Sequence, residues 1–458
     1  MKTFNKFYFR GFDFDKTTLV AKFYYSFDNE VNFCETINFA CQWFTKREKL
    51  NLDIINNILF HISIALWIGY YKAYPTKELI LTYAKLNKEQ INFWQKFYKK
   101  WLWEFLYKNK LDPTHLFQFK NETKKEFKKI DFSNSEKYLL PIWWGKDSLV
   151  SAEILKEKWL EFDLITFWKD YPIHQKTSES VGKNRILITR KMDDKLFEMN
   201  KNWYYNGHVP ISGIIAFVLE LVSYIYDYKY IIMSNEKSAN YGNTQRKWLD
   251  INHQYSKSLE FEKDLNKYVE LYISSQVKYF SILRWMYEVK IAKLFSQYKQ
   301  YFDTFSSCNS NFRINQDWKN PRWCNNCPKC VFVYSILRPY ISHKETIEIF
   351  GEELFEKIEL KQLFKELLWI DGIKPFECVW TNEEMILSLY YSYNIFQKEK
   401  LKQKKSLLGD KIEVPIVPII LKIFQKEVLD NLDENYINQL ERKLFSNYES
   451  LSNLYIKM

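Results

Sequence analysis

The sequence predicts an α/β protein built on a parallel, doubly wound sheet, preceded by an α+β region and followed by a helical one. Three observations carry this. Between residues 136 and 342, short apolar runs alternate with helix-spaced stretches, the pattern of parallel strands joined by crossover helices. A tight segment, WGKDS (144–148), lies between such a strand and its helix, where open α/β sheets bind phosphate. Four cysteines gather beyond the last of these strands.

The elements follow in order. FYFRGFDF (7–14) and LVAKFYYSF (19–27) alternate apolar and polar residues around a turn at Asp15-Lys16, which predicts a hairpin. From Asn51 the period lengthens, and INNILFHISIALWIGYY and NKEQINFWQKFYKKWLWEFLY read as helices. KYLLPIW (137–143) predicts a buried strand and LVSAEILKEKWL a helix. FDLITFW (162–168) and RILITRKM (185–192) predict strands, ISGIIAFVLELVSYIY a helix, and YKYIIMSN (228–235) a further strand. From His343 the text is mainly helical and ends rich in lysine. The expected regions are therefore 1–135, 136–342 and 343–458.

Composition narrows the class. The chain has 458 residues, 47% hydrophobic and 27% charged, which suits a globular protein of two or three domains. MKTFNKFYFRGF lacks the apolar core of a signal peptide. The most apolar stretch, Gly213 to Met233, carries Glu220, Asp227 and Lys229, so no membrane span is expected. The net charge is +11, but Lys and Glu are interspersed without a basic block, which points away from a nucleic-acid site. The cysteines are Cys34, Cys41, Cys308, Cys324, Cys327, Cys330 and Cys378. An odd number with three packed into seven residues argues against a disulfide framework and for a metal in a reducing, cytoplasmic setting.

Within WGKDS, Lys146 supplies positive charge, Asp147 can reach a metal or nucleotide, and Ser148 can cap the helix or meet a phosphate oxygen. A capped helix start explains the same residues. Cys308, Cys324, Cys327 and Cys330 form C-x15-C-x2-C-x2-C, a spacing that suits a tetrahedral structural zinc, with a four-cysteine iron–sulfur cluster as the alternative.

GKDS (145–148) resembles the end of the SGGxDS phosphate loop of the N-type PP-loop ATP pyrophosphatases. Trp143 and Trp144 stand where that motif has small residues. The resemblance implies a PP-loop/HUP-type fold, ATP and Mg2+, and adenylation of a substrate group. A phosphate loop followed by a cysteine cluster is also similar to 7-cyano-7-deazaguanine synthase, an ATP-dependent carboxylate-to-nitrile enzyme. More text matches another family. NGHVPISGIIAF (206–217), SNEKSAN (234–240), INHQYSKSLEFE (251–262), WCNNCPKCVFV, KPFECVWTNEE (374–384), FRGFDFD and WLWEFLYKNKLDP (101–113) resemble the ATP-dependent UDP-N-acetylmuramoyl-L-alanyl-L-glutamate epimerases.

That resemblance implies inversion of the terminal L-glutamate of a nucleotide-linked muramoyl dipeptide through an acyl-adenylate, in peptidoglycan precursor synthesis. With the interspersed charges and the absence of an expected membrane span, no nucleic-acid or membrane partner is expected. On this reading Gly145, Lys146, Asp147 and Ser148 hold ATP and magnesium, and Asn235, Glu236 and Ser238 face the same cleft. Tyr255, Ser256 and Lys257 bind substrate, or form a capping segment. His208, His253 and Cys378 are candidate proton carriers. His208 equally reads as a helix cap and Cys378 as a structural cysteine.

Glycine is scarce: average usage of about 7% would give roughly 32 residues, and the chain has 10, against 16 Trp. Where the resemblance calls for small residues the chain carries Trp101, Trp103, Trp143, Trp144, Trp248, Trp369 and Trp380. An organism that reads UGA as glycine would account for both facts. If the two tryptophans of the phosphate loop are genuine, a nucleotide-binding protein without catalysis becomes the alternative.

Overall fold

A computed structural model describes residues 2–143, 145–246, 249–310, 322–372, 374–377, 379, 381–406 and 417–446. Strands β1 (Lys6–Asp15), β2 (Val20–Phe27) and β3 (Val31–Asn38) form an antiparallel meander. The register of β1 slips between Phe9 and Gly11. Gly11 sits there at φ 117°, and a Cβ would lie 2.6 Å from the Tyr83 ring, so only glycine suits the slip. Helix α1 (Leu52–Tyr71) starts at Asn51, whose side chain accepts from the Asp53 N–H. Then come β4 (Glu78–Leu81), α2 (Lys88–Trp101), α3 (Trp103–Lys108) and β5 (Gln118–Asn121).

The second region runs β6 (Tyr138–Pro141), α4 (Lys146–Glu157), β7 (Phe162–Trp168), α5 (Pro172–Val181), β8 (Arg185–Lys191), α6 (Asp194–Lys201), α7 (Ile211–Tyr226) and β9 (Tyr230–Met233). A two-stranded ribbon, β10 (Thr244–Arg246) with β11 (Leu249–Ile251), leads to α8 (Leu259–Tyr272), β12 (Lys278–Ser281), α9 (Glu288–Phe295) and α10 (Pro328–Leu337). The C-terminal region is helical in its described residues: α11 (His343–Phe350), α12 (Lys361–Leu367), α13 (Asn382–Ser406), α14 (Ile419–Glu427) and α15 (Glu434–Leu444).

Ten strands form one sheet in the order β12-β9-β6-β7-β8-β3-β2-β1-β4-β5. The five from β12 to β8 are parallel, as expected. The sheet as a whole is mixed, because β3 pairs antiparallel with β8 through Thr36↔Lys191, Ile37↔Arg190 and Asn38↔Thr189. Each strand would otherwise leave an open edge, and joining them removes both. The Glu35 carboxylate meets the Arg190 guanidinium beside this seam, and both are buried. The expected boundary at residue 135 falls between β5 and β6, and the sheet crosses it.

Strand side chains alternate between two cores. Leu139 of β6 points into one, with α1 and α7; Tyr138 and Leu140 point into the other, with α4, α9 and α10. Helix α1 is long and apolar enough to cross a membrane. In the fold, 83% of its most apolar window is buried inside the protein, which makes it a core helix.

Candidate active site

The strand order reverses between β6 and β9, the switch point at which open α/β sheets form a crevice beyond their carboxyl ends. The loop after β6 leads to Gly145, the N-cap of α4, where no side chain caps the helix. Ser148 Oγ instead donates to the carbonyls of Trp143 (2.6 Å) and Gly145 (3.1 Å) and ties the loop to the helix. The start of α4 lacks a side-chain cap, and the helix dipole there favours an anion.

Lys146 is 1% exposed. Its ammonium lies 2.5 Å from Asp147 Oδ1 and contacts the Glu288 carboxylate. Burial lowers its pKa, with Asp147 and Glu236 opposing the fall and Lys329 adding to it. Asp147, Glu236 and Glu288 each place an oxygen within 4.8 Å of the others. Three carboxylates, two of them buried, around one lysine leave an excess of negative charge, and hard oxygen donors so arranged suit a divalent cation such as magnesium. Glu236 comes from the turn after β9, and Asn235 and Ser238 flank it, both buried. Asn235 is held through its carbonyl, which accepts from Ser281 Oγ at 2.6 Å. Glu288 opens α9, and its N–H donates to the buried Glu384 at 2.7 Å.

A second cluster lies where three distant segments meet. Glu104 of α3 accepts from His253 Nδ1, and the same oxygen is 3.7 Å from His208 Nδ1. The two imidazoles are 4.3 Å apart, centroid to centroid. Lys108 contacts the other oxygen of Glu104 at 2.5 Å. Burial pushes the Glu104 pKa up, but the hydrogen bond and charge of His253, with His208 and Lys108, outweigh it and hold the carboxyl at about 2. Burial first, then the neighbouring His253, lowers His208 to about 3, so that imidazole is neutral. The cluster therefore has one ionised carboxylate orienting a histidine, the geometry of a proton carrier with its positioning group.

Asn243 stitches this cluster to its surroundings. Its side chain accepts from the His253 N–H (3.0 Å) and donates to the Pro375 carbonyl (2.8 Å). Glu377 follows two residues on. Burial raises its pKa, against the opposing influence of Asn309, His253 and Lys329. The charge of Lys329 acts on both Lys146 and Glu377.

Lys329 is placed by the cysteines. Cys327 caps α10, its sulfur accepting from the Cys330 N–H. Asn325 holds φ 56°, a left-handed turn that asparagine tolerates. Cys330 Sγ is 3.4 Å from Cys327 and 3.8 Å from Cys324, and the four sulfurs, with Cys308, lie within 4.8 Å of one another. A tetrahedral zinc with bonds of about 2.3 Å has sulfur–sulfur edges of about 3.8 Å, so the donor set fits a metal.

The fold thus brings Lys146, Asp147, Glu236 and Glu288 together in one cluster and Glu104, His208 and His253 in another. Glu104 and Glu288 lie far along the chain from the residues they serve, while Lys329 inside the cysteine motif and Asn243 ten residues before His253 carry no sequence signal of their contacts. The only available signal was Glu104, the lone acid in WLWEFLY. Tyr255, Ser256 and Lys257 form a 3-10 turn. The Tyr255 ring packs on Phe97 and Phe261, and the Lys257 carbonyl accepts from Arg284 at 2.7 Å. Cys378, Trp144, Trp248 and Trp380 lie outside the described residues.

Comparison with known proteins gives these positions a family. The model described as the MurL N-terminal domain matches residues 1–282, and that described as the MurL C-terminal domain matches residues 304–409. A curated relative named UDP-N-acetyl-alpha-D-muramoyl-L-alanyl-L-glutamate epimerase, from Micromonospora sp., is 30% identical over 397 residues, covering 85% of this chain and 87% of its own. Relatives of the same name from Xanthomonas oryzae pv. oryzae and Salinispora tropica are 29% identical over 370 and 395 residues, covering 81% and 85% of this chain and 82% and 85% of their own. The chain, matched over both domains and most of its length, belongs to the MurL family.

Proposed function

We propose that this protein is an isomerase that inverts the terminal L-glutamate of UDP-MurNAc-L-Ala-L-Glu to D-glutamate. It would do so by adenylating the glutamate α-carboxylate with ATP and releasing AMP and pyrophosphate, in cytoplasmic synthesis of the peptidoglycan precursor. The substrate is the one in its relatives' name. The observation that carries the chemistry is the cluster of Lys146, Asp147, Glu236 and Glu288 at the start of α4, with the Glu104–His253–His208 cluster as the candidate proton carrier.

The glutamate α-proton is hard to remove while the neighbouring carboxylate is anionic, because the enolate would carry a second charge. Acyl-adenylation removes that charge, and after inversion water cleaves the acyl-adenylate to the free carboxylate and AMP. The strand order and the loop after β6 support a PP-loop/HUP-type sheet in which the N-terminus of α4 and Lys146 take the phosphates. Asp147, Glu236 and Glu288 would hold magnesium, which supplies charge neutralisation at the phosphates. His253, oriented by Glu104, exchanges a proton on one face of the α-carbon, with neutral His208 beside it. The second proton carrier is assigned to Cys378 or the neighbouring Glu377. Zinc on the four cysteines would cross-link Cys308 to the start of α10 and so place Lys329 without entering the reaction.

The test is incubation in D2O with Mg-ATP and UDP-MurNAc-L-Ala-L-Glu. AMP, pyrophosphate and a D-glutamyl product with deuterium at Cα should appear in equal amounts. Inversion without ATP consumption would retain the epimerase and remove the adenylation step. An amide or nitrile formed only with ammonia would move the protein to the deazaguanine-synthase type of reaction.

A further inference from the structure

Eleven non-glycine residues in the described part of the chain hold a left-handed φ, and four are tryptophans: Trp159 (56°), Trp168 (78°), Trp203 (67°) and Trp369 (59°). Tryptophan makes up 16 of 458 residues, so this share is far from proportionate. Bulky side chains avoid this region because Cβ crowds the following carbonyl.

Three of the four occupy one kind of position. Trp159 follows the C-cap of α4, its N–H bonding the Lys156 carbonyl (2.9 Å) while Leu160 N–H bonds Leu155 (3.1 Å). Trp369 does the same after α12, with Glu366 (3.2 Å) and Ile370-to-Lys365 (3.0 Å) bonds. Trp203 follows the C-cap of α6, with Tyr204 N–H bonding Met199 (3.2 Å). This is the Schellman closure, whose left-handed residue is usually glycine. At the ends of α5 and α11 this chain uses Gly182 (71°) and Gly351 (85°) in that conformation. The indoles gain little in return: Trp159 is 94% exposed, Trp203 91% and Trp369 48%. Trp168 ends β7 with its indole N–H buried and without an acceptor among the described residues.

Other tryptophans are unlike these. Trp67 is fully buried in α1 and stacks on Phe7; Trp94 donates to Tyr268 at 2.9 Å; Trp323 packs between Phe305 and Phe350. Trp101, one of the tryptophans that stand where small residues are expected, is buried against Gly213, where a Cβ would lie 2.4 Å from its ring.

We propose that the protein made in its source organism carries glycine at 159, 168, 203 and 369, at codons UGA that the organism reads as glycine, and that Trp143 and Trp144 arise in the same way. The backbone conformations at 159, 168, 203 and 369 carry this assignment independently of any reading of function. Its consequence at 143 and 144 rests on the ATP reading: GGGKDS would be a cradle of backbone N–H groups leading into α4, with no bulky side chain in the loop sequence.

The gene should show UGA at 143, 144, 159, 168, 203 and 369 and UGG at 67, 94 and 323, and the peptide spanning 159 from native protein should have the mass of the glycine form. UGG at 159, 203 and 369 overturns the proposal. In protein made with tryptophan at these positions, Trp159→Gly, Trp203→Gly and Trp369→Gly should each raise Tm by about 1–3 °C, while Trp67→Gly lowers it. A fall in Tm for all three cap variants also overturns it. Calorimetric titration of Mg-ATP into Trp143→Gly/Trp144→Gly protein should show binding at least tenfold tighter. With UGA codons confirmed and no ATP binding, glycine stands and the nucleotide reading fails.

Discussion

Replacing Glu104 with glutamine should destabilise the protein and stop its proton transfer. Glu104 is 5% exposed, and its pKa of about 2 lies well below the 4.5 of a free glutamate side chain. At about 1.4 kcal/mol per pH unit, that gap corresponds to about 3 kcal/mol of folding stability at neutral pH. A depressed carboxylate pKa gives stability that is complete above pH 4.5 and is lost as pH falls through 2. The difference between wild type and Glu104→Gln, read as urea midpoints, should therefore be full at pH 7 and less than half as large near pH 3. His208 is already neutral across most of this range and does not compensate. With His253 no longer held by a carboxylate, Cα deuterium exchange should fall by about 10²–10⁴-fold, while substrate-dependent AMP release, which depends on the other cluster, should persist. Equal urea midpoints at both pH values together with exchange within threefold of wild type would refute both the ion pairing and the assigned role.

Further outcomes follow from the same structure. Lys146→Met should abolish AMP release and, by leaving buried carboxylates unpaired, destabilise the fold by about 3 kcal/mol, visible in urea melts. Cys330→Ser should remove the metal measured by atomic absorption and lower Tm; a visible chromophore in the wild type would identify an iron–sulfur cluster in place of zinc. Glu220, buried in α7 with neither oxygen hydrogen-bonded among the described residues, has its pKa raised by burial to about 8. The folded state then binds more protons between pH 4.5 and 8, so stability should drop as pH rises through that window and be lower by about 5 kcal/mol above it. Glu220→Gln should flatten that slope. His61, lowered by burial to about 3, works in the opposite sense: stability should fall as pH drops below 6.5, and His61→Asn should weaken that acid dependence in urea melts at pH 7 and 5.

The parts legible in the sequence were those whose cause is local. KYLLPIW, FDLITFW, RILITRKM and YKYIIMSN became β6 to β9 because apolar runs flanked by turns have few alternatives to a buried strand. The cysteine cluster was legible from spacing alone. Strands β4, β5 and β12 were not, since ELIL, QFKN and KYFS hold at most three apolar residues in a row and their pairing comes from neighbours far along the chain. The β3–β8 seam was hidden for the same reason, as two open edges reveal nothing about which edge will cover them. In the site, Lys146 and Asp147 could be read from GKDS, whereas Glu104 and Glu288 become partners only through tertiary packing.

The joining of β3 to β8 also has a temporal side. During synthesis β3 is complete at residue 38, but its partner at 185–191 emerges about 150 residues later. At ribosomal rates of about 5–20 residues per second, one edge of the nascent meander waits about 8 to 30 seconds for its cover. A newborn chain in that interval exposes backbone donors and acceptors to any other chain nearby, and a fragment ending at residue 135 would remain in that condition permanently. The first 135 residues are thus a poor unit for separate expression, and slower translation lengthens the hazard for the whole molecule.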